Sequence, residues 1–304
     1  MIKGTDDTRY AYVNGMVRAR EARLLNKGYF DRLIATDFSN FNTIISDTPY
    51  VTHGDISAGF EIEENETREF FNRFCLTPEV NKFIDWPEQI HNLKVKLKNG
   101  SKELMYRQET TEVETWPEVI DEAARFTADK DPFILSTNLD KILCQYLLQN
   151  AGKMPFFAEY YKRYFDLENI RSFFRARQFE KMREIFDQVF IAWGSIKKEF
   201  YLENLNVHHD LLGKNFATTP YAMVMDRGSA YIEERHSFLR LERFCEEIRL
   251  GFLRQARMMT FGIEPLFAYY HFKISEIKKL RQVHSGKLNE VPTEDLKESI
   301  PDVW

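Results

Sequence analysis

The sequence predicts an all-α fold, and three observations carry that expectation. Glycine is scarce, with 13 in 304 residues, while 29% of the side chains are charged. A chain poor in glycine and rich in charge favours long helices over turn-dense β architecture. Apolar residues recur at helical spacing along most of the chain. An apolar helix ending in a basic cluster also occurs three times, at Val17-Arg18-Ala19-Arg20, Phe174-Arg175-Ala176-Arg177 and Lys278-Lys279-Leu280-Arg281. That is the mark of one helical unit used repeatedly. A chain of this length buries roughly 75% of its unfolded surface, so sizeable cores form without disulfides or metals.

The first helix is expected over about 8–25, where Tyr10, Val13, Val17 and Leu24 share one face. Asn26-Lys27-Gly28 reads as a stop, followed by a short helix from Tyr29 to Ala35. Thr36-Asp37 caps another that ends before Pro49. Residues 61–86 are helical, with Phe70, Phe71, Phe74 and Leu76 clustered, and Pro87 closes the stretch. One β-like passage follows. Leu93, Val95 and Leu97 alternate with Lys94, Lys96 and Lys98, and Asn99-Gly100 is a type I′ turn signal. A small β-hairpin near 93–106, inside an exposed segment 91–115, is the expectation. Helices resume at Trp116, with a pair over 139–151 and 156–177 broken at Gly152 and Pro155. One more helix covers 179–203, and 204–220 is loop-like. A long helix spans 229–261. Gly262 ends it, and Pro265 sits in the first turn of the next, which runs to Ser285-Gly286. Pro292-Thr293 opens a short closing helix. The predicted divisions are 1–115, with the hairpin as an insertion, then 116–228 and 229–304.

With 42 basic and 47 acidic side chains the net charge is −5, which argues against a general nucleic-acid binder. The cysteines Cys75, Cys144 and Cys245 are odd in number and far apart, as in reduced thiols rather than a disulfide framework. The opening ten residues lack the apolar core of a signal peptide. No run approaches the ~18 apolar residues of a membrane span. Membrane association is therefore expected through a partner.

The motifs for chemistry are weak. Two Glu-x-x-His pairs, Glu88 with His91 and Glu233 with His236, raise a di-iron carboxylate bundle as the enzyme alternative. The first runs into the alternating lysine stretch and the second lies in a charge-rich run, so chance matches are the better account. His208-His209-Asp210 is read as solvated polar residues, because no second ligand cluster accompanies it. Neither a P-loop nor a Gly-x-Gly-x-x-Gly is present, which argues against a nucleotide-hydrolysing chain. The expectation is no catalytic residue, no metal and no cofactor.

The arginines are more informative. On a helical wheel Arg20 falls on the apolar face of its helix while Arg18 points away. Arg177 and Arg175 repeat that arrangement, and Arg281 lands in the apolar stripe of its own helix. Arginine is seldom buried unless paired. Arg20, Arg177 and Arg281 are thus expected to meet carboxylates. These are either internal ones that fix helix register or those of a partner.

The run Phe261-Gly262-Ile263-Glu264-Pro265-Leu266-Phe267-Ala268-Tyr269-Tyr270, continuing through Lys273-Ile274-Ser275-Glu276-Ile277-Lys278-Lys279-Leu280-Arg281 to Ser285-Gly286-Lys287-Leu288 and Val291-Pro292, resembles the C-terminal signature of one family. This is the C-type subunit of prokaryotic V/A-type ATPases, related to the d-type subunit of the eukaryotic V-ATPase. Residues 10–25 resemble its opening helix and 139–177 its middle unit, so the likeness touches both ends and the centre. The resemblance implies a funnel of three similar helical subdomains that binds the central stalk on one side and the membrane proteolipid ring on the other. It also implies no catalysis and a cytoplasmic, peripheral position on the membrane. A generic helical scaffold is the second alternative. The lysine-rich stretch around Asn99-Gly100 departs from the helical pattern the family implies.

Overall fold

The computed structural model describes residues 2–46, 48–51, 56–106 and 111–302. In chain order the α-helices are α1 (Ala11–Glu21), α2 (Lys27–Ala35), α3 (Phe41–Ile45), α4 (Ile56–Phe74) and α5 (Pro78–Leu97). Next come α6 (Pro117–Asp129), α7 (Pro132–Ala151), α8 (Pro155–Ala176), α9 (Met182–Val189) and α10 (Lys198–Asn204). The last five are α11 (His209–Asn215), α12 (Ser229–Arg235), α13 (Leu239–Leu253), α14 (Glu264–Leu288) and α15 (Thr293–Glu298). Among the described residues there is no strand, so the fold is all-α as the sequence predicts. The chain separates into two compact units, Met1–Leu76 with Val207–Trp304, and Thr77–Asn206.

The first unit is built on α14. Every residue from Glu264 to Tyr270 is buried. Toward its C-terminal end Ile277, Leu280 and Val283 join Phe30, Leu33, Phe41, Phe60, Leu296 and Ile300 in one core. That core gathers α2, α3, the start of α4 and α15 around one helix. At the other end, α1 is tied to the turn before α14. Asn14 Nδ2 donates to the carbonyls of Thr260 and Gly262 at 3.1 and 3.0 Å. Gly262 adopts φ +93, a left-handed conformation that suits glycine.

In the second unit α7 and α8 form a helix pair, with α5 and α6 against α7 and α9 against α8. Asp131 caps α7 by accepting from the Phe133 and Ile134 amides. Prolines occupy the first turns of α5, α6, α7 and α8, where the missing N–H costs nothing. Aromatic rings fill the interior: Phe83 stacks on Phe157 at 5.1 Å, and Phe173, Phe186 and Tyr201 pack edge to face or tilted.

The β-hairpin expected near 93–106 does not form. Residues 93–97 are the last turns of α5, which passes through Pro87. The buried residues Trp86, Ile90 and Leu93 recur at helical spacing, and that face outweighs the short alternation of leucine and lysine. Pro87 cannot donate to the carbonyl of Phe83 four residues earlier. The Tyr161 hydroxyl donates to that carbonyl instead, at 3.5 Å. Asn99-Gly100 ends the helix rather than turning a hairpin. Asn99 takes φ +56, Gly100 N donates to Val95 O at 2.8 Å, and Asn99 N donates to Lys96 O at 3.1 Å. This is the Schellman pattern of a helix C-terminus. The expected return strand is a 3₁₀ turn, Lys102–Leu104, followed by Tyr106, whose backbone is gripped on both sides by the Asn92 amide. Part of the expected exposed segment, 107–110, lies outside the described residues.

Other boundaries also move. The stretch 61–86 belongs to two helices parted at 75–77, and 179–203 is split between α9 and α10. The helix expected over 229–261 is interrupted at His236, which takes φ +50. The loop-like 204–220 contains α11.

Candidate functional site

The polar side chains concentrated along α14 and α4 make the most organised cluster of the first unit. Lys273 is buried on α14, with its Nζ 2.9 Å from Glu276 Oε1 and 3.1 Å from Glu63 Oε2 of α4. The same Nζ donates to the Tyr50 hydroxyl at 2.7 Å, and that hydroxyl donates to Glu276 Oε1 at 2.5 Å. The second Glu276 oxygen accepts the Leu25 amide at 2.5 Å. One carboxylate therefore binds three passages of chain: the α1–α2 connection, the segment before α4, and α14 itself. Burial alone lowers the lysine's pKa, but Glu276 and Glu63 outweigh it and hold Lys273 above its ordinary value. Burial, reinforced by Glu276, pushes the Tyr50 phenol well up.

The predicted arginines sit on the edges of such polar contacts. Arg281 Nη1 lies 2.6 Å from Glu64 Oε2, a half-exposed ion pair between α14 and α4. Arg20 covers the Phe70 ring with its guanidinium 4.0 Å from the centroid. It also hydrogen-bonds the Tyr269 hydroxyl. In the second unit Arg177 lies over the Phe173 ring at 5.5 Å and donates to the Asn204 carbonyl at 3.2 Å. The structure thus places Arg20 and Arg281 in the first unit and Arg177 in the second. Arg281 lies against a carboxylate, and Arg20 meets an aromatic face, a favourable seat for a guanidinium.

Sequence reasoning missed the residues that anchor α1. Arg18, read as pointing away, donates to the carbonyls of Ala256 and Met259 at 2.9 and 3.0 Å and pairs with Glu21 at 2.7 Å. Glu264 is fully buried at the start of α14 and accepts from the Thr5 amide at 2.6 Å and the Thr5 hydroxyl at 3.2 Å. Burial raises its carboxyl above the ordinary range despite these bonds. Lys273 and Glu276 were missed as well, since the apolar stripe that singles out Arg281 runs along a different side of the helix from Glu276.

These contacts pin helices to one another. Neither Glu-x-x-His pair assembles with further ligands among the described residues. Glu88 and His91 both lie on α5, which continues through the alternating lysine stretch, and His236 sits past the end of α12. The side-chain group with metal-ligating potential among the described residues is His208, His209 and Asp210.

A family model described as "ATP synthase (C/AC39) subunit" matches residues 88–299, more than half of the chain. The C subunit of the V-type sodium ATPase of Enterococcus hirae is 23% identical over 326 aligned positions. That alignment covers 97% of this chain and 99% of the relative.

Proposed function

The chain belongs to the ATP synthase (C/AC39) subunit family, and from that premise we propose that it is the non-catalytic coupling subunit of a V/A-type rotary ATPase. It joins the central stalk to the membrane proteolipid ring and passes rotation between them. The observation that carries this reading is the end-to-end likeness to the C subunit of a V-type ATPase, over 97% of this chain.

The physics of the fold supports it. A coupler must transmit torque without yielding, and helices locked by close-packed apolar faces resist deformation. The α14 core and the buried Lys273–Glu276–Glu63 contacts are of that kind. Among the described residues no helix is long and apolar enough to cross a membrane. Attachment on the cytoplasmic face is accordingly through the ring. The pseudo-threefold use of one helical unit, over 1–115, 116–228 and 229–304, belongs to this proposal, as do Arg20, Arg177 and Arg281 as groups that fix register or meet a partner's carboxylates.

Reconstitution of the rotary complex with and without this chain tests the reading, with ATP hydrolysis and ion transport scored separately. Without the chain, the catalytic head keeps hydrolysing ATP while transport is lost. Transport that survives its omission overturns the coupling role and leaves a helical scaffold as the better account.

A further inference from the structure

Among the described residues, a cluster that the coupling role does not absorb opens α11. His208, His209 and Asp210 follow one another in sequence, where spacing alone reads them as solvated polar residues. Folding brings all three side chains toward one point. His208 Nδ1 lies 3.2 Å from Asp210 Oδ2, and His209 Nε2 lies 2.8 Å from Asp210 Oδ1. The two imidazole rings are 4.2 Å apart, and one ligand atom from each of the three residues lies within 4.8 Å of the others. A tetrahedral ion with ligands at about 2.0–2.2 Å holds neighbouring donors about 3.4 Å apart, so small side-chain rotations bring these three onto a single ion.

Electrostatics favour a cation there. Among the described residues the ion-pair partners of Asp210 are the two imidazoles, and no lysine or arginine of those residues neutralises it. With both rings neutral, the group offers two nitrogen lone pairs and one carboxylate, and carries a negative charge. Its footing is firm. Leu212 and Phe216 are fully buried beneath it, Gly213 packs against Asp226 of the π-helical turn Val224–Gly228, and His209 is itself half-buried. His208 and Asp210 face solvent, with 65% and 70% of their side chains exposed, which leaves the remaining coordination positions open.

We propose that His208, His209 and Asp210 form a surface site for one divalent transition-metal ion of the zinc type, with water completing the coordination. Two imidazoles among three ligands favour zinc-like ions over magnesium or calcium, which prefer all-oxygen shells. The proposal stands or falls independently of the coupling role.

The test is isothermal titration calorimetry of the metal-free full-length chain with zinc chloride, and in parallel with magnesium chloride. The variants are His209→Gln, Asp210→Asn, the double variant His208→Ala with His209→Ala, and His236→Ala as a control. The native chain and the His236→Ala variant take up one zinc ion with matching affinity. His209→Gln and Asp210→Asn bind at least tenfold more weakly, the double variant shows no saturable binding, and magnesium gives none. Unfolding midpoints measured on each metal-free variant confirm that the fold is kept. A zinc isotherm unchanged in the double variant marks an adventitious ion elsewhere on the surface and overturns the proposal. So does a native chain that takes up no zinc.

Discussion

Lys273 faces two carboxylates in a buried place, so removing the lysine strands Glu276 and Glu63, whereas removing Glu276 leaves Lys273 paired with Glu63. Breaking a buried pair from one side costs about 3–5 kcal/mol. Lys273→Met is expected to fall in that range by urea unfolding, and Glu276→Gln to cost less because Lys273 keeps Glu63. The double variant should lose less than the sum, because the second change removes the charge the first left stranded. Strict additivity would show that the contacts do not act as a unit. Glu246 gives a pH signature in the same helix neighbourhood. Burial would raise its carboxyl, but Arg249, at 2.6 Å, and a hydrogen bond from Ser275, at 2.8 Å, hold it well below the ordinary carboxylate range. Because the folded-state value is depressed, the stabilisation is present above the unfolded value near 4.5 and is lost as pH falls through the folded one. The native chain should therefore lose stability faster on acidification below pH 4.5 than Glu246→Gln does. Parallel acid limbs for the two would remove Glu246 from the account. At this scale the sequence was legible where apolar residues repeat at helical spacing, as Tyr10, Val13 and Val17 do on one buried face. It was opaque where a side chain reached backbone carbonyls distant in sequence, as Arg18 does to Ala256 and Met259. No local pattern encodes such a contact.

Elements were legible where amphipathic spacing ran long, as in α7, α8 and α14, and misread where a short pattern fitted two structures. The Leu-Lys alternation before Asn99-Gly100 satisfies a strand over a few residues. The helix wins because Trp86, Ile90 and Leu93 extend its buried face and because Tyr161 reaches the carbonyl that Pro87 leaves free. Asn-Gly marks a left-handed residue in either case, so the turn signal was sound and its context was not. Two glycines separate packing from propensity. A Cβ at Gly59, in α4, would run into the carbonyl of Tyr50, so the segment before α4 lies directly on the helix backbone. Gly15, in α1, has open space around its Cβ position. Gly59→Ala is expected to cost at least about 1–3 kcal/mol, the range for overpacking a close contact. Gly15→Ala is expected to stabilise by about 0.5–1 kcal/mol, since alanine is the better helix former and meets no obstruction. Thermal unfolding of the two variants checks both signs. Equal shifts for both would mean that close approach at Tyr50 plays no part.

At the scale of the whole molecule the all-α class was readable from composition and spacing, whereas the mode of attachment to a membrane is a matter of what the chain lacks and what it carries. Among the described residues no helix crosses a bilayer, and the net charge is −5. Anionic lipid on the cytoplasmic leaflet repels such a chain, where a polybasic segment would gain about 1 kcal/mol per lysine or arginine. Under the coupling proposal, membrane affinity comes from the proteolipid ring. The chain is expected to co-sediment with vesicles that contain the ring and to remain in the supernatant with protein-free vesicles of the same anionic lipids. Ionic strength then discriminates the forces at the ring. A contact resting on exposed charges weakens as salt rises from 0.1 M toward 1 M, where the screening length falls from about 10 to about 3 Å. A contact resting on buried apolar surface holds. Equal binding to ring-containing and bare vesicles would mean that lipid itself is the receptor, and the ring would lose its place in the proposal.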